Sequence, residues 1–157
     1  MPERALAPAC GWIEDGVHVL PLRVYYEDTD AGGIVYHASY LRFFERARTE
    51  MLRLMGITHE ELGEGSALSR PALGFAVRRC TIDFLKPARL DDALEVRTSL
   101  AAMRGASLDA AQVVRRAGED LVRALVGLAW IDLAGRPRRL PAKLREALGT
   151  LAAGREA

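Results

Sequence analysis

Residues 25–40 read YYEDTDAGGIVYHASY, in which a polar turn leads directly into a helix. Between positions 28 and 33 lie two aspartates, a threonine and a Gly-Gly pair, all of which favour turns. Gly32 and Gly33 permit backbone angles that a side chain would forbid, and they let a ligand approach the main chain closely. This stretch is therefore predicted to be a close-approach turn that separates a strand from a helix.

A long amphipathic helix is predicted over residues 37–55. Apolar residues recur there at the i, i+3, i+4 and i+7 positions, and charged residues mostly take the other face. Gly56 stands where a helix C-terminal cap belongs. One face of the helix is so apolar that we expect a central helix packed on a sheet. The apolar positions on this face are Tyr40, Phe43, Phe44, Ala47, Met51, Leu54 and Met55.

Strands are predicted on both sides of this helix. Residues 22–27 are rich in β-forming side chains, whereas residues 57–72 predict a short helix and a loop. Four consecutive strands and a short closing helix follow, and the last strand is apolar enough to be covered on both faces. Such an order is typical of an α+β fold with the helix lying across an antiparallel sheet. The four strands span residues 75–85, 94–100, 107–115 and 121–131, and the closing helix spans 142–148.

Length and composition favour one globular domain. The chain has 157 residues, of which 50% are hydrophobic and 27% charged. We expect a loosely ordered N-terminal extension at residues 1–20, one domain at 21–150 and a C-terminal tail at 151–157. Its 22 basic and 21 acidic side chains give a net charge of +1, which argues against a nucleic-acid binder. No apolar run reaches about 18 residues, so no membrane span is expected.

Metal and disulfide chemistry are not indicated. Cys10 and Cys80 lie far apart and form no C-x-x-C motif, which favours two unpaired thiols in a reducing, cytoplasmic compartment. An EF-hand calcium loop is not expected at this turn. Such a loop requires a bidentate glutamate at its twelfth position, and the helical pattern has already begun there. We expect no metal ion and no organic cofactor.

The turn before the helix holds the densest cluster of reactive side chains. Asp30 stands beside a helix N-terminus, whose free N–H groups suit a polarised carbonyl oxygen or a phosphate. A carboxylate next to such donors can act as base or nucleophile. On the spacing alone, Asp30 could equally form an Asx-turn and His37 could be an ordinary helix residue.

Three segments resemble the 4-hydroxybenzoyl-CoA thioesterase family of hotdog-fold proteins. The match is closest to its YbgC branch, the acyl-CoA thioesterases associated with the Tol-Pal envelope system. Residues 24–40 are followed by the motif FERARTEMLR, and further agreement occurs at PARLDD (87–92) and MRGASL (103–108). The resemblance covers about residues 22–148. Matches in separate segments are far more specific than one short motif.

This resemblance implies a long helix wrapped by an antiparallel sheet, in protomers that join sheets edge to edge. Dimers of the family commonly pair into tetramers, and the active site lies at the dimer interface. The resemblance also implies that Asp30 is the catalytic carboxylate, with Tyr26 and His37 as further catalytic residues. It implies that a backbone N–H near His37 polarises the thioester carbonyl.

The implied reaction is hydrolysis of an acyl-CoA thioester by one of two routes. Asp30 could deprotonate water, or it could attack the thioester and form an anhydride that water opens. Arg89 and Arg104 are candidates for binding the CoA phosphates, since each lies at a turn, although each could be a solvated charge. Arg138, Arg139 and Lys143 form a basic patch that suits either acyl carrier protein or solvent.

Two other functions compete with this reading. A dehydratase or hydratase acting on acyl thioesters would resemble a different aspartate-to-histidine spacing. An acyl-carrier-binding or envelope-associated scaffold with weak thioesterase activity remains the alternative. For the protein itself we expect a cytoplasmic location, with a peripheral association with the inner membrane left open. Release of free thiol from acyl-CoA separates a thioesterase from a dehydratase, which liberates none. Very poor turnover on every acyl-CoA, together with tight binding of acyl carrier protein, would favour the scaffold. The acyl chain itself is left open.

Overall fold

The computed structural model describes residues 7–57 and 74–151. In these residues, six antiparallel strands form one sheet in the order β1-β2-β4-β5-β6-β3, accompanied by two helices. The layout confirms the predicted α+β fold with one long helix. The strands are β1 (Trp12–Glu14), β2 (Val17–Arg23), β3 (Gly74–Phe84), β4 (Ala93–Met103), β5 (Ser107–Arg116) and β6 (Glu119–Ile131), and the helices are α1 (Ser39–Leu54) and α2 (Ala142–Gly149).

Helix α1 packs against β4 and β2 through one apolar face. Its buried side chains repeat at the predicted helical spacing and include Tyr40, Phe43, Phe44 and Ala47. Gly56 follows the helix with a φ of 78°, the left-handed conformation of a C-terminal cap. The predicted helix is confirmed with slightly shorter bounds, and Leu54 differs from the prediction because its side chain is exposed.

The predicted strand over residues 22–27 is wrong in position. The strand β2 ends at Arg23, and a 3-10 turn occupies Tyr26–Asp28. The Asp28 carboxylate accepts a hydrogen bond of 2.8 Å from the backbone N–H of Tyr25, which bends the chain into this turn. Local side-chain bonding therefore overrides the β preference of the two tyrosines.

The predicted loose order of the N-terminal extension is wrong for the residues that form strands β1 and β2. β1 pairs with Val17–Val19, and β2 also pairs with β4. His18, Val19 and Leu20, three consecutive residues of β2, are buried, so both faces of the strand are covered there. The division into extension, domain and tail stays a prediction.

The four later strands and the closing helix are confirmed. Strand β6 carries consecutive buried residues at both ends, among them Leu121 with Val122 and Ala129 with Trp130, so both of its faces are covered there. The prediction that both faces of this strand are covered is wrong for the middle of β6, where the Leu125 side chain is 44% exposed. The predicted short helix and loop fall outside the described residues, apart from Ile57.

Neither helix of the described residues is long and apolar enough to cross a membrane. Cys10 and Cys80 are both free thiols.

Candidate active site

The turn before α1 is a tight hairpin closed around Asp30. The backbone N–H of Asp30 donates to the carbonyl of Ile34 at 3.0 Å, and the N–H of Gly33 donates to the carbonyl of Asp30 at 3.0 Å. Thr29 and Val35 pair as an antiparallel bridge on either side. Gly33 has a φ of 79°, which a residue with a side chain adopts only with strain. The glycine pair thus allows the chain to reverse within four residues.

The Asp30 carboxylate projects from this turn. Its Oδ1 accepts a hydrogen bond of 2.8 Å from the backbone N–H of Gly32, and the side chain is exposed. A Cβ atom at position 32 would lie 3.1 Å from the same Oδ1. The bond fixes one carboxylate oxygen and leaves Oδ2 available for a substrate or a water molecule.

The neighbouring carboxylate of Asp28 is structural. Asp28 is 4% exposed and its Oδ2 is engaged by the N–H of Tyr25. Its carbonyl accepts hydrogen bonds from the backbone N–H of Tyr36 at 2.8 Å and from the hydroxyl of Ser39 at 3.1 Å. Asp28 therefore joins the turn to the start of α1, and Asp30 is left as the accessible carboxylate of the pair.

The start of α1 offers free backbone donors. Ser39 donates its N–H to the carbonyl of Tyr36 at 2.8 Å, whereas the N–H groups of His37 and Ala38 have no acceptor among residues 7–57 and 74–151. Amides at this end of a helix carry partial positive charge. The His37 ring is exposed and contacts Tyr36, with ring centroids 4.4 Å apart. His37 precedes the helix by two residues rather than beginning it.

Asp30 and His37 line one cavity of about 360 Å³. Its apolar wall comes from α1 and from the end of β3, where the rings of Tyr40 and Phe84 lie 5.8 Å apart. Burial raises the pKa of the Tyr40 hydroxyl, which accepts a hydrogen bond of 3.2 Å from the N–H of Ala88. The lining consists of Asp30, Ile34, Val35, His37, Tyr40, Phe84, Leu85, Lys86 and Pro87.

Tyr26 and the two candidate arginines occupy different places. Tyr26 is 81% exposed in the 3-10 turn and does not line this cavity in the described chain. Arg89 pairs with Ile34 in a β-bridge, which brings its backbone beside the site. Arg104 lies at the β4–β5 hairpin, where its guanidinium donates to the carboxylate of Asp109 at 2.8 Å.

Sequence reasoning missed the apolar wall of the cavity. The helical spacing of the sequence assigns Tyr40 to the core, and the strand pattern places Phe84 and Lys86 only at the end of a strand. These residues reach Asp30 through tertiary packing, for which the sequence carries no local signal. In the described residues, no group of three or more histidine, cysteine, aspartate or glutamate side chains could hold a metal ion.

Comparison with known proteins identifies the family. The model of the thioesterase-like superfamily matches residues 24–148, which include the turn, α1 and the strands β3 to β6. The chain belongs to the thioesterase-like superfamily. This membership and the YbgC relatives confirm the resemblance that the sequence motifs indicated. They also confirm the predicted hotdog fold and the predicted reaction class, thioester hydrolysis.

Relatives in the superfamily cover most of the chain. The acyl-CoA thioester hydrolase YbgC of Escherichia coli O6:H1 is 49% identical over 123 residues, which are 77% of this chain and 87% of the relative. The acyl-CoA thioesterase YbgC of Haemophilus influenzae is 44% identical over 128 residues, 81% of this chain and 90% of the relative. A solved structure titled "probable thioesterase" from Bartonella henselae has a TM-score of 0.74 and 41% identity, covering 80% of this chain and 99% of that one.

Proposed function

We propose that this chain hydrolyses acyl-CoA thioesters to the free acid and CoA, with Asp30 as its catalytic carboxylate. The observation that carries the proposal is the placement of Asp30. One of its oxygens is fixed by Gly32, while the carboxylate lines a cavity at the open amide end of α1. The YbgC relatives, named as acyl-CoA thioesterases, support the substrate.

Asp30 acts on the carbonyl carbon in one of two ways. As a base, its free Oδ2 takes a proton from a water molecule that attacks the thioester. As a nucleophile, the same oxygen attacks the carbon, and water then opens the resulting anhydride. In both routes the CoA thiolate leaves readily, so no strong general acid is required at the sulfur.

The N–H groups at the start of α1 stabilise the oxyanion. Those of His37 and Ala38 lack protein acceptors in the described residues and lie at the positive end of the helix dipole. Removal of one such donor costs about 3 kcal/mol of transition-state stabilisation in other enzymes. The His37 ring orients the water or the substrate. Tyr26, whose exposed side chain lies outside this cavity in the described chain, contacts the acyl group or Asp30 in the substrate complex.

CoA binds through basic residues around the cavity. Arg89 is the nearer candidate, since its backbone pairs with Ile34, a cavity residue, and its guanidinium makes no hydrogen bond or ion pair with the described part of the chain. Arg104 is already bonded to Asp109 and lies at a different hairpin. Its contact with a CoA phosphate therefore requires a second protomer that brings this hairpin to the site.

The assembly that we propose is a dimer, which pairs again into a dimer of dimers. Support comes from β3, an edge strand of the sheet with exposed apolar side chains at Val77 and Phe84, and from the exposed Leu85 that follows it. If β3 paired with the same strand of a second protomer, the unpaired N–H and C=O groups along its outer edge would gain hydrogen-bond partners. We further propose a cytoplasmic protein that works at the inner membrane, with acyl carrier protein docking at Arg138, Arg139 and Lys143.

A thiol-release assay tests the reaction. The wild-type protein is expected to liberate CoA from acyl-CoAs of graded length, aliphatic and aromatic, and the Asp30→Asn variant is expected to lose this turnover. A dehydratase would liberate no thiol. Poor turnover on every acyl-CoA, together with tight binding of acyl carrier protein, would support the scaffold function instead.

A further inference from the structure

A leucine stands exposed at the tip of the turn that follows β6. The Leu133 side chain is 77% exposed, and among the large apolar side chains of the described residues only Tyr26 is more exposed. Single apolar side chains are common on protein surfaces. The exposure therefore indicates a site only if the turn holds the leucine outward and its surroundings fit a partner.

The turn is built around the carboxylate of Asp132, which is 4% exposed. Its Oδ1 accepts hydrogen bonds from the backbone N–H groups of Ala134 at 2.9 Å and Arg136 at 3.0 Å. Its Oδ2 accepts a third bond, of 3.0 Å, from Nε of Arg138. Because a buried carboxylate is costly without such donors, these bonds fix the path of the chain around Leu133.

The backbone closes the same turn. The N–H of Asp132 donates to the carbonyl of Arg136 at 3.0 Å, and the N–H of Gly135 donates to the carbonyl of Asp132 at 2.9 Å. Ile131 pairs with Pro137 just below the turn. The turn therefore has little freedom to fold back, and its apolar tip stays in contact with solvent.

Basic side chains surround this tip. Residues 132–143 contain four basic residues and one acidic residue. The acidic residue, Asp132, is paired with Arg138 at 2.8 Å. Arg136 and Arg139 are exposed, and their guanidiniums make no hydrogen bond or ion pair with the part of the chain that the structure describes. The surface around the tip therefore carries uncompensated positive charge.

An exposed leucine among unpaired arginines fits an anionic lipid surface. In an interfacial contact, an apolar side chain enters the boundary between headgroups and acyl chains, while basic side chains attract the lipid phosphates. A projecting turn enters such a soft surface without a matching pocket. Contact with a folded protein would instead require a complementary surface that receives the tip.

We propose that residues 132–139 form a contact site for membranes that contain anionic phospholipids. Leu133 enters the interfacial region, and Arg136 and Arg139 bind headgroup phosphates. The inference rests on the proposed location at the inner membrane and not on the proposed hydrolysis.

The contact leaves the Asp30 cavity of the same protomer accessible. Ile131, where the turn begins, pairs with Gly74 at one end of β3, whereas Phe84 marks the cavity at the other end. The strand has 11 residues, so its two ends are about 33 Å apart. Substitutions in the turn should therefore change membrane binding without changing the hydrolysis of a soluble substrate.

Cosedimentation with vesicles tests the site. The lipids are phosphatidylcholine alone or with about 30% phosphatidylglycerol, and the wild-type protein is expected to bind the anionic vesicles at least about tenfold more tightly. Leu133→Ser is expected to weaken binding to the anionic vesicles at least about fivefold, because the inserted apolar side chain is lost. The matched control Leu54→Ser makes the same change at an exposed leucine of α1 and should bind within about twofold of wild type.

A double variant, Arg136→Gln with Arg139→Gln, tests the charge. It is expected to lose at least about tenfold in affinity for the anionic vesicles and to retain the weaker binding to phosphatidylcholine alone. Added salt should also weaken binding of the wild-type protein to the anionic vesicles, because it screens the attraction.

The membrane site would be overturned by absence of wild-type binding to anionic vesicles, by an unchanged affinity in folded Leu133→Ser, or by an equal loss in Leu54→Ser. Binding of acyl carrier protein without binding of vesicles would assign the basic surface to that protein and overturn the membrane site. Thiol release from butyryl-CoA at the wild-type rate is expected in Leu133→Ser, so a failure of membrane binding leaves the proposed hydrolysis standing. Membrane binding without any thiol release by the wild-type protein would remove the hydrolysis and retain the site.

Discussion

The backbone N–H of Gly32 donates a hydrogen bond of 2.8 Å to Oδ1 of Asp30, two residues earlier in the same turn. This bond resembles an Asx-turn, the structural alternative that the sequence left open for Asp30. The turn and the catalytic role are compatible, because only one carboxylate oxygen is engaged. The glycine is needed at this point, since a Cβ atom there would lie 3.1 Å from the bonded oxygen.

Gly32→Ala is expected to impair turnover without unfolding the protein. The new methyl group displaces the Asp30 carboxylate, and a shift of this kind costs about ten- to hundredfold in rate when it misplaces a reacting group. Steady-state thiol release, with thermal unfolding as the control for folding, measures the effect. Wild-type kcat in this variant would show that the position of the carboxylate is not critical.

Gly33→Ala is expected to act on stability instead. A Cβ atom at Gly33 meets no other atom within 4 Å, but the backbone φ is 79°. Holding alanine in this conformation costs about 1–2 kcal/mol. Chemical denaturation should show a loss of this size. A stability equal to that of wild type would contradict the backbone conformation assigned to the turn.

Asp28→Ala is expected to destabilise the fold, whereas Asp28→Asn retains most of the stability. Alanine leaves the N–H of Tyr25 without its acceptor, at a cost of about 1–3 kcal/mol, while the asparagine oxygen can still accept the bond. The free energy of unfolding of both variants gives the comparison. Equal losses would indicate that the charge of Asp28 matters more than its hydrogen bond.

Arg89→Ala is expected to raise KM for acyl-CoA about tenfold and to leave kcat nearly unchanged, as loss of a charge-assisted phosphate contact would. The control substrate is the corresponding acyl-pantetheine, which lacks the nucleotide phosphates. Its KM should be the same for Arg89→Ala and for the wild-type protein. An equal rise in KM for both substrates would place Arg89 outside the CoA phosphate site.

The stability of the protein is expected to fall as the pH drops below about 6.5, because of His18. Burial lowers the pKa of His18 below 6.5, against the smaller opposing effects of its hydrogen bond to the Cys10 carbonyl and of the Glu50 charge. Nε2 donates that bond at 2.7 Å, since a carbonyl can only accept, and Nδ1 has no partner in the described chain. The folded state therefore disfavours the second proton, and the unfolded state takes it up.

Denaturation at about pH 7.5 and about pH 5.5 measures this linkage. His18→Gln keeps a donor for the Cys10 carbonyl but does not titrate in this range, so its stability should change less between the two pH values. The same decrease in both proteins would assign the pH dependence to other groups.

The helix and the later strands could be predicted because their side chains repeat with the period of the element. Phe43, Phe44 and Ala47 fix the buried face of α1, and alternation along β4 fixes its inner face. The resemblance of the turn to a known family identified Asp30 and His37 as candidate site residues, and both line one cavity in the structure.

The start of the sheet could not be predicted for two physical reasons. In β2 the buried His18 and the exposed Pro21 obscure the alternation of a strand. Pro21 is tolerated because β1 pairs only as far as Val19, so β2 has a single neighbour at that point. Tyr25 and Tyr26 are β-formers by type, but the carboxylate of Asp28 draws them into a 3-10 turn.

The most direct measurement of the central claim compares Asp30→Asn with Asp15→Asn. Asp15 is an exposed turn aspartate with a φ of 50°, a conformation that asparagine also accepts. Both variants therefore make the same chemical change, one at the candidate site and one at a control position. We expect kcat for thiol release to fall about 10²–10⁴-fold in Asp30→Asn and to remain at the wild-type value in Asp15→Asn, with both variants folded. Turnover of folded Asp30→Asn within about twofold of wild type would contradict the role of this carboxylate.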